Sequence, residues 1–200
     1  MTSLPTVGGD SGNLGTILNA YLQTEHSATG THGLSSGLVT DVINTVAASG
    51  ATIGTMNVDF STKVAPFLNP RFSKFVVVCA CGANDLGISS LSAADIWDGI
   101  VTYINSVKAI LPSAKVVVQT VTPSEVDSAY EARRITYNAY VKSHWVGVAD
   151  ALMDVGSDAT IGVPGAQLNT TYYVSDKTHF TDAGQNIWAG IVTSAIQGLS

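Results

Sequence analysis

Charge is scarce in this chain and so is sulfur, and each shortage removes a class of function. Only 12% of the 200 residues are charged, against roughly a quarter in average proteins. Nine are Lys or Arg, none of them clustered, and the net charge is −6. Phosphate backbones and anionic membranes demand a basic footprint, so nucleic acid and membrane surfaces are excluded as partners. Long apolar runs are missing too. The longest, FVVVCAC over residues 75–81, is far shorter than the roughly 20 residues that span a bilayer. The N-terminus shows no basic segment followed by an apolar one, so the sequence reads as soluble, with neither signal peptide nor membrane span, and its compartment stays open. The only cysteines, Cys79 and Cys81, stand two apart on a strand-like run. Their side chains then lie along one strand, a poor geometry for a disulfide, and two ligands are too few for a structural zinc. They read as small buried hydrophobes.

Apolar residues make up 46% of the chain, enough for one core, and the length fits a single domain over residues 1–200. Strand-like runs fall at residues 3–7, 38–47, 74–80, 114–121 and 146–150. Helical spacing occupies the intervals: residues 14–22; 53–67; Ala93 to Leu111, with Ser92 as cap and Pro112 as stop; and Glu125 to Ser143. A terminal helix follows Thr181, with Ile187, Trp188, Ile191, Val192 and Ala195 at helical spacing. Strands alternating with crossover helices predict a three-layer α/β/α domain on a central five-stranded parallel sheet. Ligands in such sheets bind beyond the carboxyl ends of the strands.

Four polar loops fall at that edge. They carry Ser11 (residues 7–13), Gly50 (47–52), Asn84 (81–87) and the stretch VSDKTHFTDAG (174–184), with Asp176 and His179 three apart. Acyl transfer needs a nucleophile, a base held in one tautomer by an acid, and donors for the oxyanion of the tetrahedral intermediate. Ser11 supplies the hydroxyl, His179 the base and Asp176 the acid. The Ser11 and Gly50 N–H groups and the Asn84 amide supply the donors. Each also has a plainer reading: Ser11 as a turn serine, Asn84-Asp85 as an Asx-turn with Asp85 as scaffolding, Gly50 as a strand terminator. GLSSG, residues 33–37, matches a nucleophile elbow centred on Ser35, but the required strand-then-helix context is reversed. His26, His32 and His144 lack metal-ligand spacing. Trp97, Trp145 and Trp188 sit among core positions, and Glu125 and Asp127 read as first-turn acids of the following helix.

Taken in order, four blocks resemble those of the SGNH/GDSL hydrolases, a family named for Ser, Gly, Asn and His. They are Gly9-Asp10-Ser11, INTVAASGAT with Asn44 and Gly50, Gly82-Ala83-Asn84-Asp85, and Asp176-Lys177-Thr178-His179. The resemblance covers essentially the whole chain. It implies a flavodoxin-like sheet and ester hydrolysis without metal or cofactor, acting on a small-molecule or carbohydrate ester. Ser11, Asp176 and His179 would form the triad, and Ser11, Gly50 and Asn84 the oxyanion hole. GGDSGNLGTILNAYL also resembles a linking segment of phage tail proteins, which implies the alternative of a catalytically inactive binding or structural module.

Overall fold

The computed structural model describes residues 46–70, 74–89 and 91–199. The strand candidate at 3–7, all but the last two residues of that at 38–47, the helix over 14–22, and Ser11, His26, His32, Ser35 and Asn44 lie outside the described residues; Val46 and Ala47 are in no strand.

Strands β1 (Val76–Cys79), β2 (Lys115–Gln119) and β3 (Ala151–Met153) form a parallel sheet in the order β1-β2-β3. Register pairs Val77 with Val116 and Val78 with Val117 across the first ladder, and Val118 with Leu152 across the second. Side chains alternate across such a sheet, and the two sets meet different layers. Val77, Cys79, Val116 and Val118 pack into the larger core with α1 (Ile53–Lys63), α2 (Ala93–Ile110) and α3 (Tyr130–His144). Val76, Val78, Val117 and Met153 pack against Trp188, Ile191 and Val192 of α4 (Asp182–Gln197). The sheet is therefore the middle of three layers, as its near-continuous hydrophobic runs require. The described residues supply three strands of the five expected.

Helix starts follow from capping. The Ser92 hydroxyl accepts the Asp95 N–H at 3.1 Å, and the Thr181 hydroxyl accepts that of Gly184 at 3.3 Å, satisfying amides that the helix leaves unpaired. Two boundaries differ from expectation. Helix α3 begins at Tyr130 rather than near Glu125. Asp127 accepts the Ala129 N–H at 2.7 Å and pairs with Arg133 at 2.5 Å, building a turn ahead of the helix. Its first-turn acid is Glu131, not Glu125 or Asp127. The strand expected at 146–150 instead runs over Ala151–Met153. Trp145 and Gly147, the latter at φ +81°, close a turn in which the Val148 and Ala149 N–H groups donate to the Trp145 carbonyl.

Cys79 and Cys81 are buried free thiols with sulfurs 3.6 Å apart. His144 is bonded locally, stacked on Tyr140 at 3.9 Å with Nδ1 2.8 Å from the Ser143 hydroxyl. Trp97 is buried, and Trp145 and Trp188 pack on the cores. Among the described residues no group of three or more His, Cys, Asp or Glu could hold a metal, and no helix is long and apolar enough to cross a membrane.

Candidate active site

The histidine loop lies between β3 and α4. Its base is a short antiparallel bridge between Tyr173 and Phe180, whose rings meet edge to face at 4.9 Å. Tyr173 is buried and donates its hydroxyl to the Ile161 carbonyl at 2.5 Å. Across the loop the Val174 N–H donates to the His179 carbonyl at 2.9 Å. On this base Asp176 and His179 face each other. Asp176 Oδ2 lies 2.7 Å from His179 Nδ1, while Oδ1 accepts the backbone N–H groups of Thr178 and His179, each at 2.9 Å. Partial burial, the largest single influence on the Asp176 carboxyl, pushes its pKa up. The His179 N–H, the His179 ring and the Thr178 N–H together outweigh it, and the group falls to about 2. It is a fixed anion at neutral pH, which holds the proton of a neutral imidazole on Nδ1 and leaves Nε2 as a lone-pair acceptor. No described residue hydrogen-bonds Nε2, and the His179 side chain is 72% exposed.

The glycine and asparagine loops are joined by a side-chain hydrogen bond after the end of β1. Gly50 has φ +72°, a left-handed conformation that glycine adopts without strain, and the space where its side chain would stand is open among the described residues. The Asn84 amide donates one N–H to the Ala51 carbonyl at 2.9 Å. Fully buried Asp85 accepts the Ile53 N–H at 2.9 Å, fastening the start of α1 to the same loop. Burial, its largest influence, raises the Asp85 pKa above the ordinary carboxyl value despite bonds from the Ile53, Asp85 and Gly82 N–H groups. The residue is scaffolding, as its place beside Asn84 suggested. Gly82 permits this turn: φ is +109°, and a methyl group on it would stand 2.7 Å from the hydroxyl of buried Tyr137. The backbone then winds through a π-helical turn over Asp85–Ser89.

A chain of contacts joins these loops to the histidine. Gly87, in the π-helical turn, is packed so closely against Val126 that a methyl group there would lie 3.2 Å from it. Arg133 Nε donates to the Leu86 carbonyl at 2.9 Å. From the loop carrying Val126, Ser124 hydrogen-bonds Thr178 at 2.7 Å and Glu125 pairs with Lys177 at 2.7 Å. These contacts thus link the loops carrying Gly50 and Asn84 to the loop carrying Asp176 and His179, while Ser11 lies outside the described residues. The expectations in sequence missed Ser124, Glu125, Lys177 and Thr178 as loop partners. The hydroxyl pair spans 54 residues and the ion pair 52, and no local spacing signals such contacts.

A carboxylate-bound imidazole in a loop of a parallel α/β domain is a pair able to serve as base and orienting acid in acyl transfer. The chain belongs to the GDSL-like lipase/acylhydrolase family, whose model matches residues 9–187, and it is a hydrolase acting on ester bonds. Solved structures carry the same fold. One described as the crystal structure of TesA is 18% identical, with a TM-score of 0.67 over 97% of this chain and 93% of that one. A carbohydrate esterase family 3 protein from Talaromyces cellulolyticus is 21% identical (TM-score 0.52; 74% of this chain, 68% of that one). A family 3 carbohydrate esterase from Clostridium thermocellum is 16% identical (TM-score 0.53; 74% and 66%). No curated protein matches the chain.

Proposed function

We propose that the chain is a serine ester hydrolase of the carboxylesterase or carbohydrate acetylesterase type, working through Ser11, His179 and Asp176. The Ser11 hydroxyl attacks the ester carbonyl and passes its proton to His179 Nε2. The imidazolium is stabilised through Nδ1–H by the Asp176 carboxylate. The tetrahedral oxyanion is received by the Ser11 and Gly50 N–H groups and by the Asn84 N–H not engaged with Ala51. Collapse releases the alcohol with the proton from Nε2. The acyl group stays on Ser11; water then gives a proton to Nε2 as it attacks the acyl carbon, and cleavage of the bond to Ser11 frees the acid as that proton returns to the serine oxygen. None of these steps calls on a cofactor.

The observation that carries this reading is the 2.7 Å contact between Asp176 Oδ2 and His179 Nδ1, with Oδ1 already held by backbone donors. The pair is ready to act as a base toward a hydroxyl brought to Nε2. Family membership over residues 9–187 includes Ser11. The carbohydrate esterases among the structural neighbours, together with an acetyl-xylooligosaccharide esterase and an acetyl esterase of the same fold, favour a small acyl group, such as acetate, on a sugar. The test is turnover of p-nitrophenyl acetate and of an acetylated sugar by wild type, Ser11→Ala, Ser35→Ala and His179→Ala. Loss of at least about 10³-fold in kcat with Ser11→Ala and His179→Ala, and none with Ser35→Ala, is expected. Activity that depends on Ser35 and not on Ser11 contradicts the assignment.

A further inference from the structure

The histidine loop is tied to the rest of the fold at two points. At the first, the Ser124 and Thr178 hydroxyls are 2.7 Å apart and Ser124 is only 7% exposed. The Thr178 hydroxyl donates to the Asp176 carbonyl at 3.2 Å, so in the hydroxyl pair it is Ser124 that donates and Thr178 that accepts. Thr178 also gives its N–H to Asp176 Oδ1 at 2.9 Å. A displacement of Thr178 is therefore felt at once by the carboxylate that orients His179. At the second, Lys177 and Glu125 pair at 2.7 Å with side chains 44% and 42% exposed. Water and salt weaken such a pair, so the sheltered hydroxyl contact is the stronger tie.

Ser124 is a firm anchor because the segment before it is fixed on several sides. The Thr120 hydroxyl donates to Asp154 Oδ1 and accepts the Gly156 N–H, both at 2.8 Å. The Val121 N–H and carbonyl are both bonded by the buried side chain of Asn138, each at 2.8 Å, and Arg134 donates to the same carbonyl at 3.2 Å. These partners belong to α3 and to the exit of β3. In contrast, the loop itself contains the only left-handed non-glycine residue among those described, Lys177 at φ 56°. Such a conformation persists where surrounding contacts hold it, and the two ties lie at Lys177 and its neighbour.

We propose that Ser124, acting through Thr178, is a positioning residue that sets the Asp176–His179 pair, with Glu125 and Lys177 as a weaker second tie. This rests on the reading of His179 as the base. Removing the hydroxyl lets the pair wander, and misplacement of a reacting group by an ångström can cost about 10²-fold in rate. The loop keeps its own hydrogen bonds in a Ser124→Ala variant, so a partial loss is expected: kcat down about 10-fold, KM within about 2-fold. Ser124→Thr, which retains the hydroxyl, restores kcat. Thr178→Val gives a similar loss, and the double variant Ser124→Ala/Thr178→Val loses little more than either alone, since both break one connection. Glu125→Gln costs about 2-fold or less.

The deciding experiment pairs these kinetics with the nitrogen chemical shifts of the His179 ring, assigned by comparison with His179→Ala. Wild type is expected to hold the proton on Nδ1, Ser124→Ala to show a mixture of tautomers, and Ser124→Thr to resemble wild type. A Ser124→Ala variant with unchanged kcat and unchanged ring shifts overturns the proposal. So does a loss that appears equally in kcat, KM and melting temperature without rescue by Ser124→Thr or movement of the ring shifts. If the wild type hydrolyses no ester, the base assignment fails, while the ring shifts, which need no substrate, still decide whether Ser124 positions the pair.

Discussion

Replacing Asp176 by Asn tests the orientation of the imidazole more sharply than deleting it. Asp176 Oδ1 receives two backbone N–H groups, from Thr178 and His179. An Asn keeps those two bonds only by placing its own oxygen there, which puts its NH2 where Oδ2 now faces His179 Nδ1 at 2.7 Å. The amide is a donor, so Nδ1 must become an acceptor and the ring proton moves to Nε2. The imidazole is then held in the tautomer that cannot take a proton from a hydroxyl. In buried triads this inversion costs about 10⁴-fold in kcat. Here the side chains are 72% and 49% exposed, water competes for the ring, and a loss of about 10²–10³-fold is expected, with KM little changed. Steady-state hydrolysis of p-nitrophenyl acetate reads the effect, and the ring nitrogen shifts report the proton's position. An Asn variant within about 3-fold of wild-type kcat, with its proton demonstrably on Nε2, refutes the role given to Asp176.

Two further outcomes follow from the loop after β1. For Asp85 the folded pKa lies above the ordinary 3.8, so between those values the folded state holds more protons than the unfolded one. Stability contributed by this group is present below 3.8 and is lost as pH rises through the folded value. The stability of wild type relative to Asp85→Asn, taken from urea unfolding at a series of pH values, should fall over that window. A relative stability that climbs with pH contradicts the burial argument. Gly82→Ala combines a left-handed φ with a methyl group 2.7 Å from the Tyr137 hydroxyl and should destabilise the fold by about 2–5 kcal/mol in the same assay. A change below about 0.5 kcal/mol, the range of ordinary surface substitutions, contradicts it.

Parts of this molecule are legible in its sequence for definite reasons. The runs around Val76 and Val116 are apolar on both faces because both faces are covered. Ser92 and Thr181 mark helix starts because a hydroxyl there meets a free amide. Asp176 and His179 are close in sequence, so their hydrogen bond is a local event that spacing can suggest. What escaped is non-local. Glu125 has the composition of a first-turn acid, yet its charge is spent on Lys177, 52 residues away. The strand expected at 146–150 failed because Gly147 adopts φ +81° and turns the chain, and alternation of apolar residues carries no record of that. Ser124 looks like any turn serine until Thr178 is placed beside it.

The central claim is that Ser11 is the nucleophile activated by His179, and covalent labelling tests it most directly. Wild type and the Ser11→Ala, Ser35→Ala and His179→Ala variants are treated with a fluorophosphonate, and the modified peptide is located by mass spectrometry. The account predicts a single phosphonyl group on Ser11 in wild type and in Ser35→Ala, no label in Ser11→Ala, and labelling strongly slowed in His179→Ala. Modification of Ser35, or hydrolysis of esters by a protein whose Ser11 stays unlabelled, contradicts it.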